Sequence, residues 1–124
     1  MIRAPGVSRA GTLCDALVET IDLYPTLVDL CEPHSTETHW ALDGVSLRLL
    51  LEGTASAIKQ VSLSYWRNVV SLRSRTHRML VGRDRSRNFL EPELYDIRRT
   101  SDPLQNLAAE NPEIVQELRQ HLPQ

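Results

Sequence analysis

The feature that most constrains the fold of this chain is a series of short alternating segments in its second half. Val61, Leu63 and Tyr65 alternate with two serines, and shorter apolar runs follow at residues 70–72, 79–81 and 93–97. A period of two residues is that of a strand with one buried face. Because only short connections separate these runs, the sequence predicts an antiparallel meander of about four strands.

The end of the chain predicts an amphipathic helix. Asn111 is a favourable N-cap, and Pro112 fits the first helical position because that position needs no N–H donor. The apolar residues that follow share one helix face: Ile114, Val115, Leu118 and Leu122. A helix with one apolar face packs that face on another element. The sequence therefore predicts an α+β fold, a small antiparallel sheet with a C-terminal amphipathic helix.

The first half of the chain predicts two short strands followed by two helices, at residues 1–4, 16–21, 22–31 and 46–52. The last helix is expected to end at Gly53, a common helix stop. In the longer helix, Leu23, Leu27 and Leu30 form one apolar stripe, and a second stripe lies beside it. So broad an apolar surface needs cover on much of the helix, which indicates that this segment belongs to a larger domain.

The basic residues are almost all arginine, and six arginines fall between Arg73 and Arg87, where Asp84 is the only acid. Two interpretations remain open. The run could form a site for a polyanion such as a sulfated sugar, because guanidinium groups bind oxyanions bidentately. It could instead be a solvated strand face and a charged turn, with arginines paired to carboxylates such as Glu93 and Asp96.

Composition and motifs exclude several classes of protein. The formal net charge of −2, with few aromatic residues near the arginines, argues against a nucleic-acid partner. No apolar run approaches the roughly 20 residues of a membrane helix, and residues 1–11 lack the apolar core of a signal peptide. Two cysteines make no disulfide framework. The chain has no GxSxG, GxGxxG, P-loop or HExxH motif, and the two histidines within residues 34–39 match no standard zinc spacing.

Five segments of the chain, in order, match motifs of one known family. Residues 3–6 resemble R-x-P-G, residues 18–27 resemble V-x-x-x-D-L-x-P-T-L, and residues 42–53 resemble L-D-G-x-S-L-x-P-L-L-x-G, with Leu49 where proline is usual. Residues 72–78 resemble the strand pair I-R-T-x-x-Y-R-Y, and residues 93–108 resemble E-L-Y-D-x-x-x-D-P-x-E-x-x-N-L-A. Together these segments resemble the C-terminal part of the sulfatase family, and the likeness covers residues 2–122. The variant at residues 102–105 and the strand pair are nearest to its iduronate-2-sulfatase branch.

The resemblance implies a two-part fold. Sulfatases have the alkaline-phosphatase-like fold, a large α/β domain followed by a smaller domain with a four-stranded antiparallel sheet and a terminal helix. Residues 1–58 would then be the tail end of the large α/β sulfatase domain, a strand, a helix and a loop at its edge. Residues 59–124 would be the C-terminal antiparallel-sheet subdomain. The expected partner is the N-terminal sulfatase domain that this chain lacks, or a second copy through self-association.

The resemblance also implies an activity of which this chain carries only a part. Sulfatases hydrolyse sulfate esters with a formylglycine and a calcium ion, and their nucleophile and metal ligands lie upstream of the matched segments. Cys31-Glu32-Pro33 does not complete the motif Cys-x-Pro-x-Arg, because Ser35 stands where arginine is needed. We therefore expect no catalytic residue and no metal ligand here, with calcium and formylglycine confined to a full-length parent.

The resemblance implies that this chain completes the sulfatase fold and forms one wall of the substrate cleft, and that it has no catalytic activity alone. Arg73 and Arg78 are the candidate substrate-binding residues, toward a sulfated sugar. The alternative is a free-standing, non-catalytic interaction module whose arginine-rich sheet edge binds a polyanion.

Overall fold

A computed structural model describes residues 1–31, 41–98 and 105–123, and the chain divides into two compact units, Met1–Lys59 and Gln60–Gln124. In the first unit, a 3-10 turn at Thr20–Asp22 leads into α1 (Leu23–Cys31), and α2 follows at Arg48–Glu52. The second unit contains β1 (Ser62–Trp66), β2 (Val69–Arg73), β3 (His77–Gly82), β4 (Glu93–Asp96) and α3 (Pro112–Arg119). Within the described ranges, no helix combines the length and the hydropathy needed to cross a membrane.

The four strands of the second unit form one antiparallel sheet in the order β1-β2-β3-β4. Each strand therefore pairs with its neighbour in the chain. The register places Leu63 opposite Leu72, and Leu72 opposite Met79. Opposed residues lie on the same face of a sheet, so the alternating apolar residues converge on one side. The predicted four-stranded meander is confirmed.

The core of the second unit lies between this apolar face and α3. Four residues of the sheet are fully buried there: Leu72, Met79, Val81 and Leu94. Leu118 of α3 is buried in the same cluster, and Ile114, Val115 and Leu122 pack around it. Asn111 precedes the helix as predicted, but its side chain donates to the Leu107 carbonyl (3.1 Å) and does not cap the first turn. The predicted amphipathic helix and the α+β fold are confirmed.

The two short strands predicted at residues 1–4 and 16–21 are wrong, because the described residues of the first unit contain no β-strand. A strand needs a second backbone to satisfy its N–H and C=O groups. The Ala4 carbonyl instead accepts the N–H of Ser8 (2.8 Å), so the chain turns back on itself. Residues 16–21 run into the 3-10 turn, where a capping box at Glu19 satisfies the backbone locally.

The two predicted helices of the first unit are confirmed with shifts of one or two residues at their starts. Gly53 ends α2 in the left-handed conformation (φ 73°), which glycine adopts without a steric penalty. Thr26 of α1 is buried, and its hydroxyl oxygen accepts the N–H of Leu47 (2.9 Å), which joins α1 to the segment before α2. The histidine segment 34–39 and residues 99–104 of the last matched motif lie outside the described residues. The assignment of residues 1–58 to a larger α/β domain stays a prediction.

Candidate functional site

The sheet face opposite α3, here called the open face, carries the two candidate arginines. Its positions alternate with those of the core: Ser62, Ser64 and Trp66 of β1, Val69, Ser71 and Arg73 of β2, Arg78, Leu80 and Gly82 of β3, and Glu93 and Tyr95 of β4. None of these residues is fully buried. The open face is thus an exposed platform that combines arginines and hydroxyl groups with apolar residues at one end.

Arg73 and Arg78, here called the arginine pair, occupy directly opposed positions on β2 and β3, and both are exposed. They flank a turn in which the Ser74 hydroxyl accepts the N–H groups of Thr76 (3.3 Å) and His77 (3.0 Å). These bonds hold the two strand ends together. Opposed residues in an antiparallel sheet have Cβ atoms about 4.5–5.5 Å apart, and like charges so placed are destabilising. An anion between the two guanidinium groups would relieve that repulsion.

The two carboxylates expected to neutralise the arginine pair are engaged by other groups. The Tyr95 hydroxyl donates to Glu93 Oε2 (2.7 Å), and this bond raises the pKa of Tyr95. Asp96 accepts two bonds from the Arg98 guanidinium (2.7 and 3.0 Å), which, with the Arg98 N–H, hold the pKa of Asp96 well below its ordinary value. Among residues 1–31, 41–98 and 105–123, no ion pair reaches the arginine pair. The described residues therefore show no ion pair between these carboxylates and the arginine pair, and the role of the pair toward a substrate stays a prediction.

The β3–β4 loop, which holds the last three arginines of the run, fits the interpretation of a charged turn. The Arg83 guanidinium lies 4.4 Å from the centre of the Phe89 ring, and its Nη2 donates to the Pro123 carbonyl (3.3 Å). Asp84 Oδ1 accepts the N–H of Asn88 (2.8 Å), which closes the loop. Arg83 thus has partners among the described residues, whereas no such partner of the arginine pair lies in these ranges.

A buried cluster of Glu19, Asp22 and Lys59 in the first unit was not predicted from the sequence. Lys59 Nζ lies 2.5 Å from Glu19 Oε2 and 2.8 Å from Asp22 Oδ1. Asp22 is fully buried and also accepts the N–H groups of Val45 (2.9 Å) and Glu19 (2.7 Å). Burial raises the pKa of Asp22, but the hydrogen bonds from Lys59, Val45 and Glu19 together lower it below its ordinary value. The one available signal was that Lys59 is the only lysine of the chain. This cluster stabilises the unit and offers no reactive group.

The described residues contain no group of three His, Cys, Asp or Glu side chains placed to hold a metal ion. The calcium ion that the resemblance implies therefore finds no ligand set within these ranges. Cys14 and Cys31 are both exposed and free, and Cys31 is the last residue of α1.

Several solved structures share the fold of this chain, among them the following two. One is BT33494S-sulf of Bacteroides thetaiotaomicron, from work on the metabolism of multiple glycosaminoglycans, with a TM-score of 0.69 and 20% identity over 92% of this chain. The other is BT4656, solved in complex with its substrate D-glucosamine-2-N,6-O-disulfate, with a TM-score of 0.59 and 18% identity over 80% of this chain. The chain spans only 27% and 22% of the lengths of these two sulfatase-related proteins. No protein-family model and no curated protein matches the sequence.

Proposed function

We propose that this chain is the C-terminal part of a sulfatase, a sulfuric ester hydrolase, and that it completes the enzyme's fold and is catalytically silent alone. The observation that carries this proposal is the match of 92% of the chain to 27% of a sulfatase-related protein. The order of the five sequence motifs between residues 3 and 108 supports the same assignment. Within the family we place the parent nearest to the iduronate-2-sulfatase branch, on the motifs at residues 72–78 and 102–105.

The surface of the first unit supports a role in completing a larger fold. Ala4 and Leu47 are the buried apolar residues among the described part of this unit. Several large apolar side chains around α1 are instead about half exposed: Ile21, Leu23, Tyr24 and Leu27. An apolar surface of this kind is typical of an interface. We propose that the N-terminal sulfatase domain covers it in the intact enzyme.

The open face supports the second part of the proposed role, in which this chain forms one wall of the substrate cleft. The arginine pair presents two guanidinium groups without an acidic partner in the described residues, and guanidinium forms strong, bidentate bonds with oxyanions. We propose that Arg73 and Arg78 bind a sulfated sugar in the parent enzyme. Formylglycine and calcium, contributed by the rest of that enzyme, supply the hydrolytic chemistry. The residues of this chain bind and orient the substrate.

The experiment that tests the proposal assays the purified chain with 4-nitrophenyl sulfate in the presence of calcium, beside size-exclusion chromatography with light scattering. We expect no turnover, together with self-association through the apolar surface of the first unit. Calcium-dependent turnover that survives repurification would overturn the proposal, because it requires a complete catalytic site in this chain. A stable, inactive monomer would also overturn it, since a fragment with an uncovered interface should not remain monomeric.

That last outcome would favour the second candidate, a free-standing interaction module that binds a polyanion without catalysis. The absence of an acidic partner for the arginine pair among the described residues is the observation that favours it. Both candidate functions use the arginine pair. They differ in whether the apolar surface of the first unit must be buried against another domain.

A further inference from the structure

We propose that the open face binds a sulfated oligosaccharide along the direction of its strands, with a sulfate group at the arginine pair and a sugar ring on Trp66. The proposal rests on the sulfated-sugar class of the proposed function. It goes beyond that function by assigning a second contact point, a direction and a minimum length to the ligand.

The arginine pair is the proposed binding site for the sulfate group of the ligand. Arg73 and Arg78 are opposed in register, exposed, and without an ion pair in the described part of the chain. Ser62 of β1 lies opposite Arg73 in the next strand and adds a hydroxyl group to the same row. A tetrahedral oxyanion at this row would screen the repulsion of the two guanidinium groups and accept hydrogen bonds from both.

Trp66, which is 73% exposed, lies at the apolar end of the open face. Trp66 lies opposite Val69, and Val69 lies opposite Gly82. A Cβ atom added at Gly82 would lie 3.2 Å from Leu90 Cδ1, so the Leu90 side chain occupies the space beside this row. An exposed tryptophan with apolar neighbours is a surface on which the C–H face of a sugar ring can pack, while the indole N–H stays available to a hydroxyl.

The distance between the two ends sets the length of the ligand. Val69 and Arg73 are four residues apart on β2, which corresponds to about 13 Å at about 3.3 Å per residue. This is longer than a single sugar ring and fits a short chain of linked rings. The hydroxyl groups of Ser64 and Ser71, which are opposed in register, lie between the two ends.

The charges of the open face determine which strands the ligand follows. Glu93 on β4 carries a negative charge that repels sulfate, and it is exposed. The β1 and β2 positions of the open face carry no acid: Ser62, Ser64, Trp66, Val69, Ser71 and Arg73. Arg67, in the turn after β1, has its guanidinium carbon 5.9 Å from the centre of the Trp66 ring and adds positive charge at that end. An anionic ligand is therefore expected to lie over β1 and β2.

The test is to titrate the full chain with size-defined heparin disaccharide and tetrasaccharide and to measure affinity by calorimetry. We expect the tetrasaccharide to bind more tightly than the disaccharide. Arg73→Ala should weaken both by about tenfold or more, whereas Trp66→Ala should weaken only the tetrasaccharide, by a similar factor. Arg85→Ala, which removes an exposed arginine of the β3–β4 loop, is the matched control and should change neither. All three side chains are exposed, so circular dichroism should report an unchanged fold.

Four results would overturn the proposal. They are the absence of binding to either oligosaccharide, an equal loss in Arg85→Ala and Arg73→Ala, an equal effect of Trp66→Ala on both ligand lengths, and equal affinity for a single-stranded oligonucleotide. The second and fourth would indicate a general attraction between opposite charges. The aryl-sulfate and self-association measurements do not depend on these results, so the assignment of the chain as a catalytically silent part of a sulfatase is tested separately from this proposal.

Discussion

Replacing Asp22 with alanine is expected to destabilise the first unit, because three hydrogen-bond donors converge on this one buried carboxylate. The N–H groups of Glu19 and Val45 and the Nζ of Lys59 all donate to it, at 2.7, 2.9 and 2.8 Å. In the alanine variant the two backbone N–H groups lose their acceptor. Lys59 keeps Glu19 as its remaining partner.

The expected cost can be worked out from these contacts. Leaving a buried donor without a partner costs about 1–3 kcal/mol, and removing one partner of a buried ion pair costs about 3–5 kcal/mol. Because Glu19 still neutralises Lys59, the loss of the ion pair is the smaller part; the two part-buried backbone donors left unpaired, each at the lower end of its range, bring the total to about 3 kcal/mol. Domains of this size are stable by about 5–15 kcal/mol, so this is a large share of the total.

Amide hydrogen exchange measures this loss at the residues concerned. The Glu19 and Val45 amides should exchange about 100-fold faster in Asp22→Ala, at about 1.4 kcal/mol for each tenfold change. Asp29→Ala is the matched control, because Asp29 is a half-exposed acid of the same unit that pairs with Arg48 at 3.3 Å. An exposed pair contributes less than about 1 kcal/mol, so the control should change exchange by less than about tenfold.

The reasoning would be refuted if the two variants gave the same small change. That result would mean that the buried cluster contributes no more than a surface ion pair. Acceleration confined to the Asp29 variant would contradict it more strongly.

Three further outcomes are expected. The free energy of unfolding should fall as the pH drops below about 4, because the folded-state pKa of Asp22 lies below the unfolded value of about 3.9. The stabilisation that the ionised carboxylate provides is lost when Asp22 is protonated, and urea titrations at a series of pH values measure this loss. Gly44→Ala should be strongly destabilising in a thermal melt, because the added Cβ would collide with the backbone carbonyl of Ile21. Gly53→Ala is the comparison: its Cβ meets no atom within 4 Å, so it should show only the smaller cost of placing alanine at a left-handed residue, and an equal loss in both variants would contradict the clash. Leu118→Ala should cost about 2–5 kcal/mol in urea unfolding, since Leu118 is buried in the core cluster, and an equal cost for Gln116→Ala on the exposed side of α3 would contradict that origin.

The sheet could be predicted from the sequence because its determinants are local. The alternation that begins at Val61 specifies which residues face the core, and the short turns restrict each strand to its neighbour. The strands predicted at residues 1–4 and 16–21 failed for the opposite reason. A strand also requires a pairing partner, and the alternation within one segment does not show whether another segment supplies it.

The arginine pair was identified from the sequence, but its electrostatic surroundings were not. That Arg73 lies opposite Arg78 depends on the length of the turn between them, and that Glu93 is occupied depends on the Tyr95 side chain. The cluster around Lys59 was missed because its members lie about 40 residues apart in the chain. Long-range pairing of this kind leaves no periodic signal.

The strand order of the sheet has a consequence for how the chain folds. Since β1, β2, β3 and β4 pair only with their neighbours in sequence, each step of sheet formation closes a short loop. Short loops cost little entropy, and topologies of low contact order fold fastest among sheets of similar size. All strand pairs lie within residues 62–96. The sheet can therefore form during synthesis as soon as this stretch has left the ribosome, before α3 has emerged.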